Sequence, residues 1–198
     1  MKTHWKASGI SNLTDARYFN AIENAWISFA FDVLHPQAIG IEKAKAVLEW
    51  LHEPLVVASF GLHQDSQEIS FVLESTGIKF VELPIAHPLC MQEDLLPNLF
   101  VSLDAEEIAR AMSLQKLPKG LIVDVEKYSA SDKRLVEELR TLSKSTLLFI
   151  KTVAQVATLK SWLEQIPSCG IELNTLPEER PGWSAVDVYD TIIDELDN

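Results

Sequence analysis

One pattern repeats along the whole chain: a short apolar run, then a segment whose apolar residues recur every three or four positions. Runs that are apolar throughout are typical of parallel strands covered on both faces. The three- and four-residue spacing is typical of helices that bury one face. The sequence therefore predicts strands alternating with helices, which together form a parallel sheet covered by helices.

The number of repeats constrains the fold most strongly. Strands are predicted at residues 4–7, 26–31, 55–60, 80–83, 99–103, 121–125, 146–150 and 169–173. Eight strand–helix units in 198 residues predict a small (β/α)8 TIM barrel of the α/β class, with residues 1–198 forming a single domain. The alternative is an open doubly wound sheet, which needs fewer strands and a glycine-rich first turn. Gly9 stands alone in its turn, so the barrel is favoured.

Helices are predicted at residues 13–22, 41–51, 66–75, 132–142 and 154–163, and a last one is predicted at 184–196. The segment 84–98 contains Pro84, Pro88 and Pro97, so its helix is expected to be short or irregular. Asp104 and Glu107 have the spacing of a capping box, which predicts a helix from there to about residue 114.

Buried packing is the expected role of both cysteines and of several tryptophans. Cys90 and Cys169 are the only cysteines, and neither belongs to a metal-type pair, so both are expected to be reduced and buried. Trp26, Trp50 and Trp162 fall within strand or helix patterns and are predicted to be buried or half-buried.

The chain carries a formal net charge of −12, from 17 basic and 29 acidic residues. Nucleic acids and anionic membranes bind basic surfaces, so neither is expected as a partner. No apolar run approaches the roughly 18 residues of a membrane span, and the first residues lack the apolar stretch of a signal peptide. We therefore expect a cytoplasmic protein, monomeric or homodimeric, whose candidate ligand is a small molecule.

In barrels of this kind, functional groups lie at the carboxyl ends of the strands and in the loops that follow. The predicted strands place the following residues there: Ser8, Asp32, Gly61, Glu82, Asp104, Asp124, Glu126, Lys151 and Asn174. Lys6 lies two residues before Ser8 on the same strand, so the two side chains are expected to project to the same side.

Asp124 is the strongest candidate for chemistry, because a carboxyl group at a strand end acts as general acid or base when burial raises its pKa. Alternatively, Asp124 caps its loop or pairs with Lys151. Lys151 has three interpretations: it binds an anionic group, forms a Schiff base or pairs with a carboxylate. His35, His63 and His87 follow the second, third and fourth strands and leave open a metal-assisted hydrolase or lyase. Their spacing matches no known ligand pattern, and solvated loop histidines are the simpler interpretation.

Four segments resemble motifs of the phosphoribosylanthranilate isomerases, in order along residues 4–195. Residues 6–16 (KASGISNLTDA) are similar to the family's K-I-C-G-I-T followed by D-A, and residues 27–37 (ISFAFDVLHPQ) are similar to G-F-x-F-x-x-x-S-P-R. Residues 121–124 (LIVD) resemble L-L-L-D. Residues 170–182 (GIELNTLPEERPG) resemble V-D-V-S-S-G-V-E followed by P-G.

This resemblance implies the barrel fold and, for a working member, an Amadori rearrangement of N-(5-phosphoribosyl)anthranilate in tryptophan biosynthesis, without a cofactor. The family's general acid is an aspartate at the end of the sixth strand, which matches Asp124. Its general base is a cysteine at the end of the first strand, where this chain has Ser8. A thiol can be tuned to take a proton near neutral pH, whereas a hydroxyl needs a base of its own.

Other positions of the family pattern also differ here. The arginine after the second strand is Gln37, and the Q-L-H after the fourth strand is Glu82-Leu83-Pro84. The glycine pair after the seventh strand is Lys151-Thr152, and the glycine after the eighth is Leu176. Those glycines let backbone N–H groups approach a phosphate, so both phosphate-binding turns are expected to be lost.

We therefore expect a divergent relative with altered or lost isomerase activity, no metal site and no cofactor. Asp124 and Ser8 would occupy its catalytic positions. Its ligand contacts would come from Lys6, Asp32, Gln37, Glu82, Lys151 and Asn174. A working isomerase with an unusual site is the alternative.

Overall fold

Eight parallel strands close into a barrel in the computed structural model, which describes residues 3–176 and 186–197. The strands are β1 (Trp5–Ser8), β2 (Trp26–Ala30), β3 (Leu55–Ser59), β4 (Phe80–Pro84), β5 (Leu99–Asp104), β6 (Gly120–Asp124), β7 (Leu147–Lys151) and β8 (Gly170–Asn174). Each strand pairs with the next, and β8 pairs with β1. The predicted barrel is confirmed, and every strand end lies within one residue of its predicted position.

Helices cover the outside of the barrel. They are α1 (Leu13–Asn20), α2 (Ile41–Leu48), α3 (Ser66–Thr76), α4 (Ile108–Met112), α5 (Lys133–Leu142), α6 (Val156–Gln165) and α7 (Val186–Asp197). The predicted start of the last helix, at residue 184, lies outside the described residues. Among the helices in the described ranges, none is long and apolar enough to cross a membrane.

The two irregular connections follow the sequence prediction. After β4 the chain forms two short 3₁₀ helices, Pro88–Met91 and Glu93–Asn98, because its prolines interrupt a regular helix. After β5 the Glu107 carboxylate accepts the backbone N–H of Asp104 at 3.4 Å, as the capping-box pattern predicts. This cap marks the start of the helical segment that follows β5.

The end of α2 differs from its prediction. The helix stops at Leu48 instead of continuing to residue 51, and the chain turns toward β3. Trp50 lies in that turn with 69 % of its side chain exposed, so its predicted packing role is wrong. The early helix end is the reason, since it carries the indole away from the barrel. Trp26 and Trp162 are buried, as predicted.

Two separate apolar clusters fill the molecule. The larger lies between the barrel wall and the helices and includes Trp5, Phe19 and Trp162. The smaller one fills the barrel interior and consists of Trp26, Val57, Phe100, Ile122 and Phe149, with Leu55, Phe80 and Leu147 packed against it. The base of the barrel is therefore a closed apolar core, and polar groups project into the barrel only above it.

Both cysteines are free and buried, as predicted. Burial raises the pKa of Cys90 to about 11 and that of Cys169 to about 12. Neither thiol forms a thiolate nucleophile near neutral pH, so both act as small packing side chains.

The interior leaves no room for a side chain at Gly120, the first residue of β6. A Cβ there would lie 2.4 Å from Cδ1 of Phe100. We expect Gly120→Ala to destabilise the protein by about 1–3 kcal/mol, because the ring and the strand must move apart in a close-packed core. Urea unfolding measures the change.

The double variant Gly120→Ala/Phe100→Leu is the control for this contact. Removing the ring should relieve the clash, so the double variant should lose less stability than the two single variants added together. Strict additivity would show that the Phe100 contact does not determine the glycine at this position.

Candidate functional site

Charged side chains form a line across five neighbouring strands, from β5 through β8 to β1. The register partners, each opposite the next, are Asp104, Asp124, Lys151, Glu172 and Lys6. Register partners project to the same side of a sheet, so all five point into the barrel or its mouth. Asp124 and Lys151 are 31 % and 37 % exposed, whereas Glu172 and Lys6 are 3 % and 0 % exposed. The line therefore descends from the mouth into the core.

Lys6 is the buried end of this line and lies between two carboxylates. Its Nζ is 2.5 Å from Oε2 of Glu172 and 2.8 Å from Oε2 of Glu82. Burial alone would lower the pKa of Lys6, but the Glu172 and Glu82 carboxylates outweigh it and raise the pKa above its usual value. Lys6 is thus a buried ammonium beneath the mouth, and its complete burial does not fit its predicted role as a direct ligand contact.

Lys6, Glu82 and Glu172 form a buried cluster whose charges do not balance, because one lysine faces two carboxyl groups. Burial raises the pKa of Glu82, and although Lys6 opposes the shift, the Glu172 carboxylate adds to it. Oε2 of Glu82 has no hydrogen-bond partner in the part of the chain that the structure describes, although it lies at ion-pair distance from Lys6. The pKa of the Glu82 carboxyl group therefore lies above its usual value.

Ser8 ends β1 directly above this cluster. Nζ of Lys6 donates a hydrogen bond to Oγ of Ser8 at 3.1 Å. Because the ammonium occupies an acceptor position on Oγ, the hydroxyl hydrogen of Ser8 is free to point elsewhere. Within residues 3–176 and 186–197, no group accepts that hydrogen. Ser8 is therefore a hydrogen-bond donor at the edge of the mouth.

Asp124 is the last residue of β6, and its carboxylate contacts two neighbouring residues. Oδ1 accepts the backbone N–H of Glu126 at 3.0 Å, and Oδ2 lies 4.0 Å from Nζ of Lys151. Both alternatives to a catalytic role, loop capping and ion pairing, are thus realised in the structure. The ion pair is long, and about a third of the side chain faces solvent, so the carboxylate stays accessible to a ligand.

Two cavities open on either side of Asp104 and Asp124. One, of about 240 Å³, is lined by Pro84, Ser102, Leu103, Asp104, Glu107, Ile122, Asp124 and Lys151. The other, of about 380 Å³, is lined by Asp104, Ala105, Glu106, Asp124, Glu126, Lys127 and Tyr128. Carboxylates outnumber ammonium groups in both. A cavity of about 400 Å³ at the opposite end of the barrel, around Leu48 and Phe80, has Lys79 as its single charged side chain.

Asp32 and His63 face each other across the loops that follow β2 and β3. Nε2 of His63 lies 3.5 Å from Oδ1 of Asp32, and the same oxygen accepts the backbone N–H of Leu34 at 2.8 Å. Gly61 makes this approach possible, since a Cβ there would lie 2.2 Å from Oδ2 of Asp32. Asp32 therefore stabilises its own loop as well as facing the mouth.

Gly9 follows Ser8 with φ of +74° and packs closely against the loop after β2. A Cβ there would lie 2.3 Å from Oε1 of Gln37 and 3.3 Å from Cε1 of His35. Both side chains therefore lie beside the end of β1, next to Ser8. Burial lowers the pKa of His35, and the ammonium of Lys151 lowers it further. The imidazole is thus within electrostatic reach of β7, across the mouth.

The sequence did not predict that His35 packs beside the end of β1, because loop histidines are usually solvated and carry no local signal of burial. The nearest signal was Gly9, whose missing side chain lets another group approach the strand end. That signal identifies a close approach but not the residue that makes it.

The loop histidines do not combine into a metal-ligand set. Nε2 of His87 donates to the carbonyl oxygen of Gln64 at 2.9 Å, and its Nδ1 accepts the backbone N–H of Leu89 at 3.2 Å. Both ring nitrogens of His87 are therefore engaged within the protein. Across the described ranges, no group of three or more His, Cys, Asp or Glu side chains is arranged to hold a metal ion.

The structure thus sorts the predicted site residues by depth. Asn174, opposite Ser8 in register, is exposed at the end of β8. The residues brought to one mouth are Ser8, Asp32, Gln37, Asp124, Lys151 and Asn174. Lys6 and Glu82 lie beneath it. Residues 177–182, the last part of the fourth motif, lie outside the described residues.

The buried cluster generates a stability prediction. We expect Lys6→Met to destabilise the protein by about 3–5 kcal/mol in urea unfolding, because two buried carboxyl groups lose their cation. The triple variant Lys6→Met/Glu82→Gln/Glu172→Gln should recover most of this loss. Lys116→Met, which breaks an exposed pair with Glu93, is the matched control and should change stability little. Equal losses in the two lysine variants would contradict a special role for the buried charge.

The raised pKa of Glu82 generates a second prediction. A carboxyl group whose pKa is higher in the folded state binds more protons there, so stability falls as pH rises through that range. We expect Glu82→Gln, which keeps the shape without the charge, to lose less stability than the parent protein as the pH rises above 4.5, the usual pKa of a glutamate. Urea unfolding at a series of pH values measures the slopes. Parallel slopes would show that Glu82 titrates normally.

Comparisons with known proteins address the fold. No known family's sequence profile matches the chain, and no curated protein matches its sequence. Among solved structures, one of mutually generated monomers of the dimeric phosphoribosylanthranilate isomerase from Thermotoga maritima is 19 % identical, with a TM-score of 0.75 and 98 % of each chain covered. The isomerase of Thermococcus kodakaraensis is 12 % identical, with a TM-score of 0.74 and 100 % of each chain covered.

A third phosphoribosylanthranilate isomerase, solved in complex with reduced 1-(o-carboxyphenylamino)-1-deoxyribulose 5-phosphate, is 19 % identical, with a TM-score of 0.77 and 98 % of each chain covered. Full-length coverage in both directions means that the whole barrel, and not one shared repeat, is similar. This chain therefore has the fold of the phosphoribosylanthranilate isomerases.

Proposed function

We propose that this chain is a divergent relative of the phosphoribosylanthranilate isomerases, whose barrel mouth binds a different small molecule and whose isomerase activity is altered or lost. Four sequence motifs in the order of that family and a barrel similar over its full length support the relationship. We infer that the protein acts in the cytoplasm as a monomer or a homodimer. The Thermotoga maritima neighbour is described as dimeric.

The observation that carries the loss of isomerase chemistry is Ser8 at the position of the family's cysteine: its hydroxyl accepts a hydrogen bond from Lys6 at 3.1 Å and has no general base as a partner among the described residues. In the family that the chain resembles, a cysteine at the position of Ser8 takes a proton. A protonated lysine donates to Ser8 and cannot take its proton. Because Glu172 and Glu82 raise the pKa of Lys6, the lysine stays protonated. Ser8 is therefore a donor and not a base.

The charge of the mouth argues against a phosphate ester as the ligand. The ligand described for one solved isomerase is a 5-phosphate. Here the residues at the family's phosphate-binding turns are Lys151-Thr152 and Leu176, so the glycine backbone that approaches a phosphate is replaced. Asp124 on β6 and Glu172 on β8 are the register partners of Lys151 on the two neighbouring strands, so its positive charge is already balanced.

A working isomerase with an unusual site is the second candidate. The observation in its favour is Asp124, which ends the sixth strand, is accessible and matches the family's general acid. It would need a base other than Ser8. A metal-assisted hydrolase has no comparable support in the described residues, since His87 is fully engaged within the protein.

Isomerase activity separates the two candidates. We expect no turnover of N-(5-phosphoribosyl)anthranilate by the purified protein, and no rescue of a tryptophan auxotroph that lacks the isomerase, because base and phosphate turns are both changed. Ser8→Cys alone should not restore activity, since the phosphate turns stay altered. A known isomerase from Thermotoga maritima serves as the positive control. Rescue that Asp124→Asn abolishes would overturn the loss of activity and establish the second candidate.

A further inference from the structure

His35 is half-buried at the mouth although it lies in a loop. Its Cε1 would be 3.3 Å from a Cβ at Gly9, the residue after Ser8, so the ring is held against the end of β1. His35 belongs to the segment that resembles G-F-x-F-x-x-x-S-P-R, in which a serine stands at its position. The imidazole is therefore a feature of this chain that the resemblance does not supply.

The hydrogen bonding of the ring fixes its tautomer. The backbone N–H of Gln37 donates to Nδ1 of His35 at 3.1 Å. A ring nitrogen that accepts a hydrogen bond carries no proton, so the proton of the neutral ring lies on Nε2. Nε2 has no hydrogen-bond partner within the ranges that the structure describes. The ring therefore offers one unused N–H donor.

The groups around His35 keep it neutral. Burial lowers its pKa first, and the ammonium of Lys151 lowers it further, while the carboxylates of Asp32 and Glu172 oppose the shift. The net pKa lies below the usual value of 6.5, so the ring is uncharged at neutral pH. A neutral imidazole can donate a hydrogen bond to an uncharged oxygen and polarise it without adding a positive charge to the site.

A second donor is on Ser8, the residue before Gly9, against which the His35 ring lies. The hydroxyl of Ser8 accepts from Lys6 and has its own hydrogen free. Opposite these donors, the cavities beside Asp104 and Asp124 are lined by carboxylates, which repel an anionic ligand. An uncharged group, such as a carbonyl, is therefore expected to bind at His35 and Ser8 more tightly than an anionic group.

We propose that His35, with Ser8, forms a binding site for the carbonyl oxygen of an uncharged, hydroxylated small molecule. The proposal rests on the proposed function, in which the mouth binds a ligand other than a phosphate ester. His35 donates through Nε2–H, and Ser8 through its hydroxyl, to the carbonyl oxygen. Hydroxyl groups of a ligand that extends toward β5 and β6 would find hydrogen-bond acceptors in Asp104 and Asp124.

The first measurement uses the full chain without ligand. Long-range ¹H–¹⁵N correlation spectra of the histidine rings report tautomer and protonation, and His52, exposed at the other end of the barrel, is the internal reference. We expect His35 to show the Nε2–H tautomer and to titrate below 6.5. A proton on Nδ1, or protonation of His35 near neutral pH, would overturn the proposal.

The second measurement uses probes that differ in one group. Dihydroxyacetone carries the carbonyl, glycerol replaces it by an alcohol, glycolate carries a carboxylate, and inorganic phosphate tests the anionic alternative. Titrations followed by backbone amide shifts around Ser8 and His35 give the affinities. We expect dihydroxyacetone to bind about three- to tenfold more tightly than glycerol, the value of one hydrogen bond, and more tightly than either anion.

Three variants test whether His35 supplies that hydrogen bond. His35→Ala should lower the dihydroxyacetone affinity to the level of glycerol. His35→Gln, which keeps an N–H donor at similar reach, should retain most of it. His63→Ala, in the adjacent loop, is the matched control and should bind normally. Thermal unfolding of each variant establishes that it is folded.

Several results would overturn the proposal. They are equal binding of dihydroxyacetone and glycerol, unchanged affinity in His35→Ala, preference for glycolate or phosphate, and no probe binding at the mouth. None of these measures turnover of N-(5-phosphoribosyl)anthranilate. A failed carbonyl site is therefore distinguishable from a failed proposal about isomerase activity, which the auxotroph and turnover assays decide separately.

Discussion

The ion pair between Lys6 and Glu172 joins the first strand of the barrel to the last, and the rest of the structure depends on this closure. The two residues are register partners across the β1–β8 seam, with Nζ and Oε2 2.5 Å apart. Glu82 contacts the same ammonium from β4, so the ion pairs also connect β4, across the barrel, to β1 and β8. Buried charges are tolerated only where they face each other. The cluster therefore joins β1, β4 and β8 above the apolar base.

This cluster also sets the polarity of the mouth. Lys6 occupies an acceptor position of Ser8, so Ser8 presents a hydrogen atom to the mouth and not a base. The imidazole of His35 lies against Gly9 on the same side. Asp104 and Asp124 stand on β5 and β6, where acceptors dominate. The mouth therefore has a hydrogen-bond donor, Ser8, at the end of β1 and carboxylates at the ends of β5 and β6.

Much of the fold was predictable because the pattern that encodes it is local. Short apolar runs gave every strand to within one residue, and the prolines after β4 predicted its irregular connection. The helix ends were less predictable, as α2 shows. Its apolar spacing continues to residue 51, but the chain has to turn toward β3, and Trp50 becomes exposed. Closure of the barrel overrides local helix preference at that point.

For the site, the sequence by itself determined which side chains stand at strand ends and that Lys6 and Ser8 share a side, because alternation along a strand is a local property. Only the tertiary structure decided which of these groups meet. Lys6 and Glu172 are 166 residues apart in the chain, and their contact depends on the register at which the barrel closes. The position of the half-buried His35 beside Gly9 likewise depends on how the loop after β2 packs on β1. Depth and neighbouring charge set the protonation of Lys6, Glu82 and His35, and both arise only when distant strands come together.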